Sequence, residues 1–376
     1  MTNKERIYNA LEGKPVDRMP VTVLYNQLYY QDHFAELTGK EQWELHKWLN
    51  CDPDEHVAIY EEMINKAPFE FLQPQGAPSR YSRENIEFVV RDGKPYRHDK
   101  KEDKYTPVVT ETVSGHPIDY KANQTQYVFD VDDVKENFRL HKAKDMLAGG
   151  GNDYLDATIA KFGDDNFILS GGVVGTLYLC HNYVGLTNLY AMLIEKPELI
   201  EYLSHKLLEQ NIESIRYYAK SKGDAIYIDD AMTTSDMISV KHYERFCLPY
   251  MKEMVKEIHR LGHKAIIIYF GGISDRLEQI ASIGADGLSM ETSMKNYIND
   301  IDYIAEKIGN HVTLFGNIDP VGILQNGADE ELEAEITRQA KAGKKCRGFI
   351  MCSGSPITPF TSLERVQKFI KISKNF

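Results

Sequence analysis

The chain has 376 residues, 42% of them hydrophobic, with a formal net charge of −12 and an isoelectric point near 5.5. That length buries one large core or two ordinary ones, and the acidic balance excludes the basic face that nucleic-acid phosphates require. No apolar run reaches the roughly 18 residues of a membrane span, and five cysteines without a CxxC pair fit neither a secreted disulfide framework nor a zinc knuckle; a cytoplasmic protein is expected.

The chain opens "MTNKERIYNALEGKPVDRMP", with charges where a signal peptide needs an apolar stretch. "MPVTVLY" (19–25) predicts a first buried strand. Residues 80–130 then break the later rhythm: "IEFVVRDGKPYRHD" alternates about Asp92-Gly93 and predicts a β-hairpin, taken as an insertion that lies over the rest as a lid. From residue 165 onward, short apolar runs alternate with long amphipathic segments, the pattern of repeated βα units. The runs are "FILSGG" (167–172), "AIYIDD" (225–230), "KAIIIYFGG" (264–272), "DGLSME" (286–291), "VTLFGNID" (312–319) and "GFIMCSGS" (348–355). They are continuous rather than alternating, as strands covered on both faces are. Helices are predicted over 197–222 and 240–261, the second kinked at Pro249 and closed by Gly262.

Seven βα units in one chain, with no GxGxxG after the first strand and no Gly/Ser linker, predict a single α/β domain over 1–376: a (β/α)8 TIM-type barrel with a β-hairpin insertion at about 80–130. In such a barrel the C-terminal strand ends face the active site. They are Gly171 and Gly172, Asp229 and Asp230, Tyr269 and Phe270, Glu291, Asn317 and Asp319, and Cys352 with Ser353. Asp229 or Asp230 with Glu291 suits a shared proton or a metal. In "GNIDP", Asp319 is expected to fix the loop and Pro320 to start a helix. Cys352 has two readings, a thiolate ligand or a small buried hydrophobe. The adjacent donors Cys180 and His181 diverge by about 100° on a helix, which leaves His181 as a substrate contact. Tyr25, Tyr29, Tyr178, Tyr183 and Tyr269 fall near the same face, and aromatic walls of this kind suit a flat or methylated small molecule.

"NALEGKPVDRMPV" (9–21), "HYERFCLPYMKEMVKEIHRLGHKAIIIYFGG" (242–272), "GADGLSME" (284–291), "GNIDP" (316–320) and "GFIMCSGSPITPFTSLERVQKFI" (348–370) together resemble the uroporphyrinogen decarboxylase superfamily, most nearly its corrinoid-dependent methyltransferases. The resemblance covers nearly the whole chain and implies the barrel fold. The decarboxylase branch carries an Arg-containing motif after the first strand for its polycarboxylate substrate; here "VTVLYNQLYYQDHF" (21–34) has neither Arg nor Lys. The methyltransferase branch often holds zinc by His-x-Cys before "GG" and a later Cys, and those places are Ile268, Phe270 and Ser355.

The resemblance therefore implies methyl transfer from a small O-, N- or S-methylated substrate to a cobalamin-binding partner protein, with zinc in question. Asp229 and Glu291 would act as acids and Tyr269 as a hydrogen-bond donor. Tyr25, Tyr29, Tyr178, His181, Tyr183, Phe270 and Asn317 would contact substrate. A substitute metal set, if one forms, draws on Asp229, Glu291 and Cys352. The alternatives are a decarboxylase or lyase of the same superfamily and a non-catalytic barrel that binds a tetrapyrrole.

Overall fold

A computed structural model describes residues 1–108 and 128–376, together with the backbone of 112–113 and 116–117. Seven parallel strands form one curled sheet in chain order: β1 (Phe71–Leu72), β2 (Phe167–Val174), β3 (Ala225–Asp230), β4 (Lys264–Tyr269), β5 (Gly287–Met290), β6 (Thr313–Phe315) and β7 (Phe349–Ile350). Helices follow the strands and cover the outer face, giving the TIM-type barrel that the βα rhythm predicts.

The expected strand at 19–25 is not a regular one. Val21 alone bridges Met351, while the Met351 N–H donates to Pro20 O at 2.8 Å and the Glu70 N–H to Val21 O at 3.2 Å. This short segment thus lies between β7 and β1 and closes the ring, in the place of an eighth strand. β1, two residues long, was not anticipated.

Side chains alternate across the wall, as they must in a strand. Phe71, Phe167, Leu169, Ala225, Ile266, Ile268, Phe315, Ile350 and Cys352 pack inside the barrel. Ile168, Ile226, Ile228, Ile267, Tyr269, Leu288 and Leu314 pack outward against the helices. The bottom is stoppered by the helix Asn3–Leu11, whose Ile7, Ala10 and Leu11 join the inner cluster. The stopper is pinned there: Thr313 Oγ1 donates to Ala10 O at 2.7 Å, Arg347 Nη2 to Leu11 O at 2.7 Å, and the Tyr8 hydroxyl to Asp224 Oδ1 at 3.0 Å.

The helix expected over 240–261 is two helices, Val240–Phe246 and Leu248–Arg260, broken at Cys247. Pro249 sits in the first turn of the second, where its missing N–H breaks no bond, so it begins a helix instead of kinking one. Gly262, at φ +87, follows its end. The hairpin forms about Asp92-Gly93, both with positive φ, and pairs Ile86–Arg91 with Lys94–Asp99 and then Lys104–Pro107. Its Phe88 stacks on His46 and its Ile86 carbonyl accepts from Asn50, contacts on the outer helices. Apart from the backbone of 112–113 and 116–117, the part of the predicted insertion at 109–127 lies outside the described residues, and no described contact places the hairpin over the barrel mouth as a lid.

Candidate active site

β3 decides the site. Asp229 shares its strand face with Tyr227, which packs against the inner cluster, and in register it opposes Ile268 of β4. One residue beyond β4, Phe270 returns to the inner side. Asp229 therefore stands at the upper, open end of the barrel interior.

Tyr25 reaches in from the closing segment, and its hydroxyl donates to Asp229 Oδ2 at 2.6 Å. Its ring lies 6.0 Å from Phe270 and 5.8 Å, edge-on, from Tyr227. Tyr25 holds a left-handed backbone, φ +55, which is costly for a non-glycine residue. The Tyr25 N–H donates to Gln73 Oε1 at 2.9 Å just after β1, which holds that conformation. Burial pushes the Asp229 carboxyl up to about 6, and the Tyr25 hydrogen bond pulls the other way. Burial and the neighbouring Asp229 charge push the Tyr25 phenol up, so it stays a donor.

Asp230 points outward. It is 1% exposed and accepts from the Met232 N–H at 3.1 Å; burial first, and the Asp229 charge to a lesser degree, push it up to about 7. Glu291 lies at the end of β5, half-buried. Its Oε1 accepts from Ser355 Oγ at 3.1 Å, and Tyr297 donates its hydroxyl to Oε2. No described contact joins Glu291 to Asp229. The carboxyl that the Asp229 charge raises is that of Asp230.

Several expected site residues are engaged in contacts outside this cluster. Tyr269, by strand parity, faces the helices, where its hydroxyl pairs with Tyr243 at 2.6 Å with no solvent contact. Tyr29 is buried in the helical layer against Tyr30 and Phe69 and stacks on His33. Tyr183 packs on Phe138, and its carbonyl accepts from the Val128 N–H. Asn317 is consumed by structure, donating to Asn299 O at 2.8 Å and exchanging bonds with the Gln339 side chain. His181 turns Nδ1 to the Tyr178 carbonyl of its own helix at 2.5 Å. Tyr178 is near enough to Tyr25 to raise its phenol. Asp319 does fix its loop, accepting from the Val321 and Gly322 N–H groups.

The three residues of the substitute metal set, Asp229, Glu291 and Cys352, are not joined by any described contact. Cys352 belongs to the inner apolar cluster, burial pushes its thiol up to about 12, and no group of three His, Cys, Asp or Glu side chains able to hold a metal occurs among the described residues. At the resemblance's zinc position the inward side chains are Ile268 and Phe270, which have no donor atom, so zinc does not fit there. Tyr227 and Gln73 are the site residues that sequence reasoning missed. Tyr227 was findable, because a residue two before Asp229 shares its face; nothing marked Gln73.

The fold and this acid at its mouth place the chain among TIM-type barrel proteins with an ionisable group at the C-terminal end of the strands. Residues 110–376 match the family described as Uroporphyrinogen decarboxylase (URO-D), and the chain belongs to that family. It is 23% identical over 385 residues to the methylcobamide:CoM methyltransferase MtbA of Methanosarcina acetivorans, covering 100% of this chain and 98% of that one. It is 31% identical over 197 residues to the uroporphyrinogen decarboxylase of Trichodesmium erythraeum, a match that spans about half of either chain (52%). A solved methyltransferase from Methanosarcina mazei shares the fold at a TM-score of 0.70 and 19% identity, covering 100% of this chain. Among the described residues no helix is long and apolar enough to cross a membrane.

Proposed function

We propose that this protein is the substrate-specific methyltransferase of a corrinoid system. It takes a methyl group from a small O-, N- or S-methylated molecule and passes it to the cobalt of a cobalamin-binding partner protein. The observation that carries this reading is Asp229: a carboxyl with a raised pKa of about 6 at the open end of the barrel, oriented by Tyr25 and walled by Phe270 and Tyr227. The relative named for a methylcobamide reaction, matched end to end, supports the corrinoid side.

Reduced corrinoid cobalt is a strong nucleophile toward methyl groups, so the chain has three tasks: to hold the donor, keep water from it and stabilise what leaves. The aromatic walls do the first two. As the bond between the methyl carbon and its heteroatom breaks, the electron pair stays on the heteroatom, which takes the proton of Asp229; solvent then returns a proton to the carboxylate. Tyr25 keeps that carboxyl in place through all stages. The absence of Arg and Lys from 21–34 argues against a polycarboxylate substrate, whose charges would go unpaired.

The test is incubation with cob(I)alamin and a panel of methylated ethers, amines and thioethers, following the appearance of the methylcobalamin spectrum. Loss of carbon dioxide from uroporphyrinogen, with no methyl transfer from any donor, sinks the proposal.

A further inference from the structure

Behind the mouth, the barrel wall has a gap. β2 carries an irregularity between Leu169 and Gly171, and β1 ends after two residues, so the strands part above Leu72. The gap opens into a cavity of about 250 Å³. Gly171 and Gly172 make the room: a Cβ on the first would lie 2.3 Å from the Tyr218 ring, and on the second 2.3 Å from the Tyr227 ring. Tyr227 and Gln73, which back the mouth, also line this cavity, which continues outward to Tyr217 and Tyr218.

Two properties of the lining define what fits. No side chain among its residues is ionised near neutral pH; the polar ones are Gln27, Gln73, Gln75, Asn152, Ser170 and the three tyrosines. Three buried polar atoms of that set lack partners: the acceptor Gln27 Oε1, the donor Gln75 Nε2 and the Ser170 hydroxyl. A buried polar atom without a partner costs free energy, and a charged ligand would find no counter-ion here.

We infer that this cavity is a binding site for a small uncharged molecule that both donates and accepts hydrogen bonds, such as an amide or a hydroxyl-bearing ether. At about 250 Å³ it lies below the range of drug-sized pockets, so the ligand has few heavy atoms. The assignment rests on the proposed reaction only in one respect: through Gln73 and Tyr227 the ligand's far end would meet the mouth, which makes the methyl donor a neutral compound.

The experiment measures binding by calorimetry and ligand-observed NMR with no corrinoid present. N-methylacetamide and 2-methoxyethanol are the neutral probes; acetate and tetramethylammonium are charged probes of similar size. The neutral probes are expected to bind, and Gln27→Leu and Gln75→Leu to weaken them about tenfold each. Ser170→Ala, the mildest change, should weaken them less and serves if a Leu variant does not fold. Charged probes that bind as tightly as neutral ones, no binding of either neutral probe, or binding unchanged in all folded variants overturns the inference. Neutral probes that bind a protein inactive toward every methylated donor defeat the proposed reaction and leave this site standing. Methyl transfer from charged donors alone does the reverse.

Discussion

Tyr25 spans the barrel mouth to donate to Asp229, 204 positions away in sequence, from a left-handed backbone that its own N–H bond to Gln73 maintains. One side chain thus ties the closing segment to β3. It also sets the acid: burial raises Asp229, and the Tyr25 bond lowers it. Replacing Asp229 with Asn removes the transferable proton and is expected to slow methyl transfer by roughly 10²–10⁴. The wild-type rate should fall as pH rises through about 6, because the protonated form does the work. Tyr25→Phe removes the lowering bond, so this alkaline limb should move to higher pH. Rate profiles of the two variants and the parent check both statements, and a limb unmoved in Tyr25→Phe contradicts the assignment.

Glu291 is bound to Ser355 and Tyr297 and not to Asp229. Glu291→Gln should therefore cost less than tenfold in methyl transfer, and its effect should add to that of Asp229→Asn, as separated sites do. A double variant no slower than Asp229→Asn alone would mean that the two carboxyls act as one unit.

Zinc at the end of β4 needs donors that Ile268 and Phe270 do not have. Elemental analysis of purified protein should give zinc well below one per chain, and washing with a chelator should leave methyl transfer unchanged. Stoichiometric zinc, with activity lost on chelation and regained on adding the metal, would require ligands drawn from elsewhere in the chain.

Stability should depend on pH in two opposing ways. His56, fully buried between Trp48 and Tyr154 at ring distances of 4.5 and 3.7 Å, is lowered to about 4 by burial. The unfolded chain takes up this proton first, so the stability it confers is complete above about 6.5 and is lost as pH falls toward 4, about 3 kcal/mol in all. Asp230, raised to about 7, does the opposite: its contribution is full below about 3.8 and is lost as pH rises through 7. Denaturant unfolding from pH 4 to 8 should show His56→Phe with a shallower acid loss and Asp230→Asn with a shallower loss toward neutrality. Parallel curves for parent and variants would rule both effects out.

Most of the barrel was legible because its strands are apolar runs such as "KAIIIY" between polar helices. The two places that were misread share a cause. Phe71–Leu72 is too short to show a pattern, and "MPVTVLY" has a pattern but only one residue that bridges, because ring closure is a tertiary event. The site was legible in its strand ends but not in its parity. Tyr269 and Phe270 are neighbours in sequence and lie on opposite sides of the wall, and only register shows which one faces inward. Gln73 was invisible for another reason: its role is to hold Tyr25 N–H across 48 positions.

The stopper helix Asn3–Leu11 makes the barrel a cup. Ile7, Ala10 and Leu11 are wedged into its base and Arg347 is latched over the end, so the lower end of the barrel is plugged by apolar side chains. In the proposed reaction a spent carboxylate would then be recharged from the mouth side of the barrel and not from below. A partner seated over the mouth would slow that recharging, so each turnover would be completed fastest when the partner lifts away.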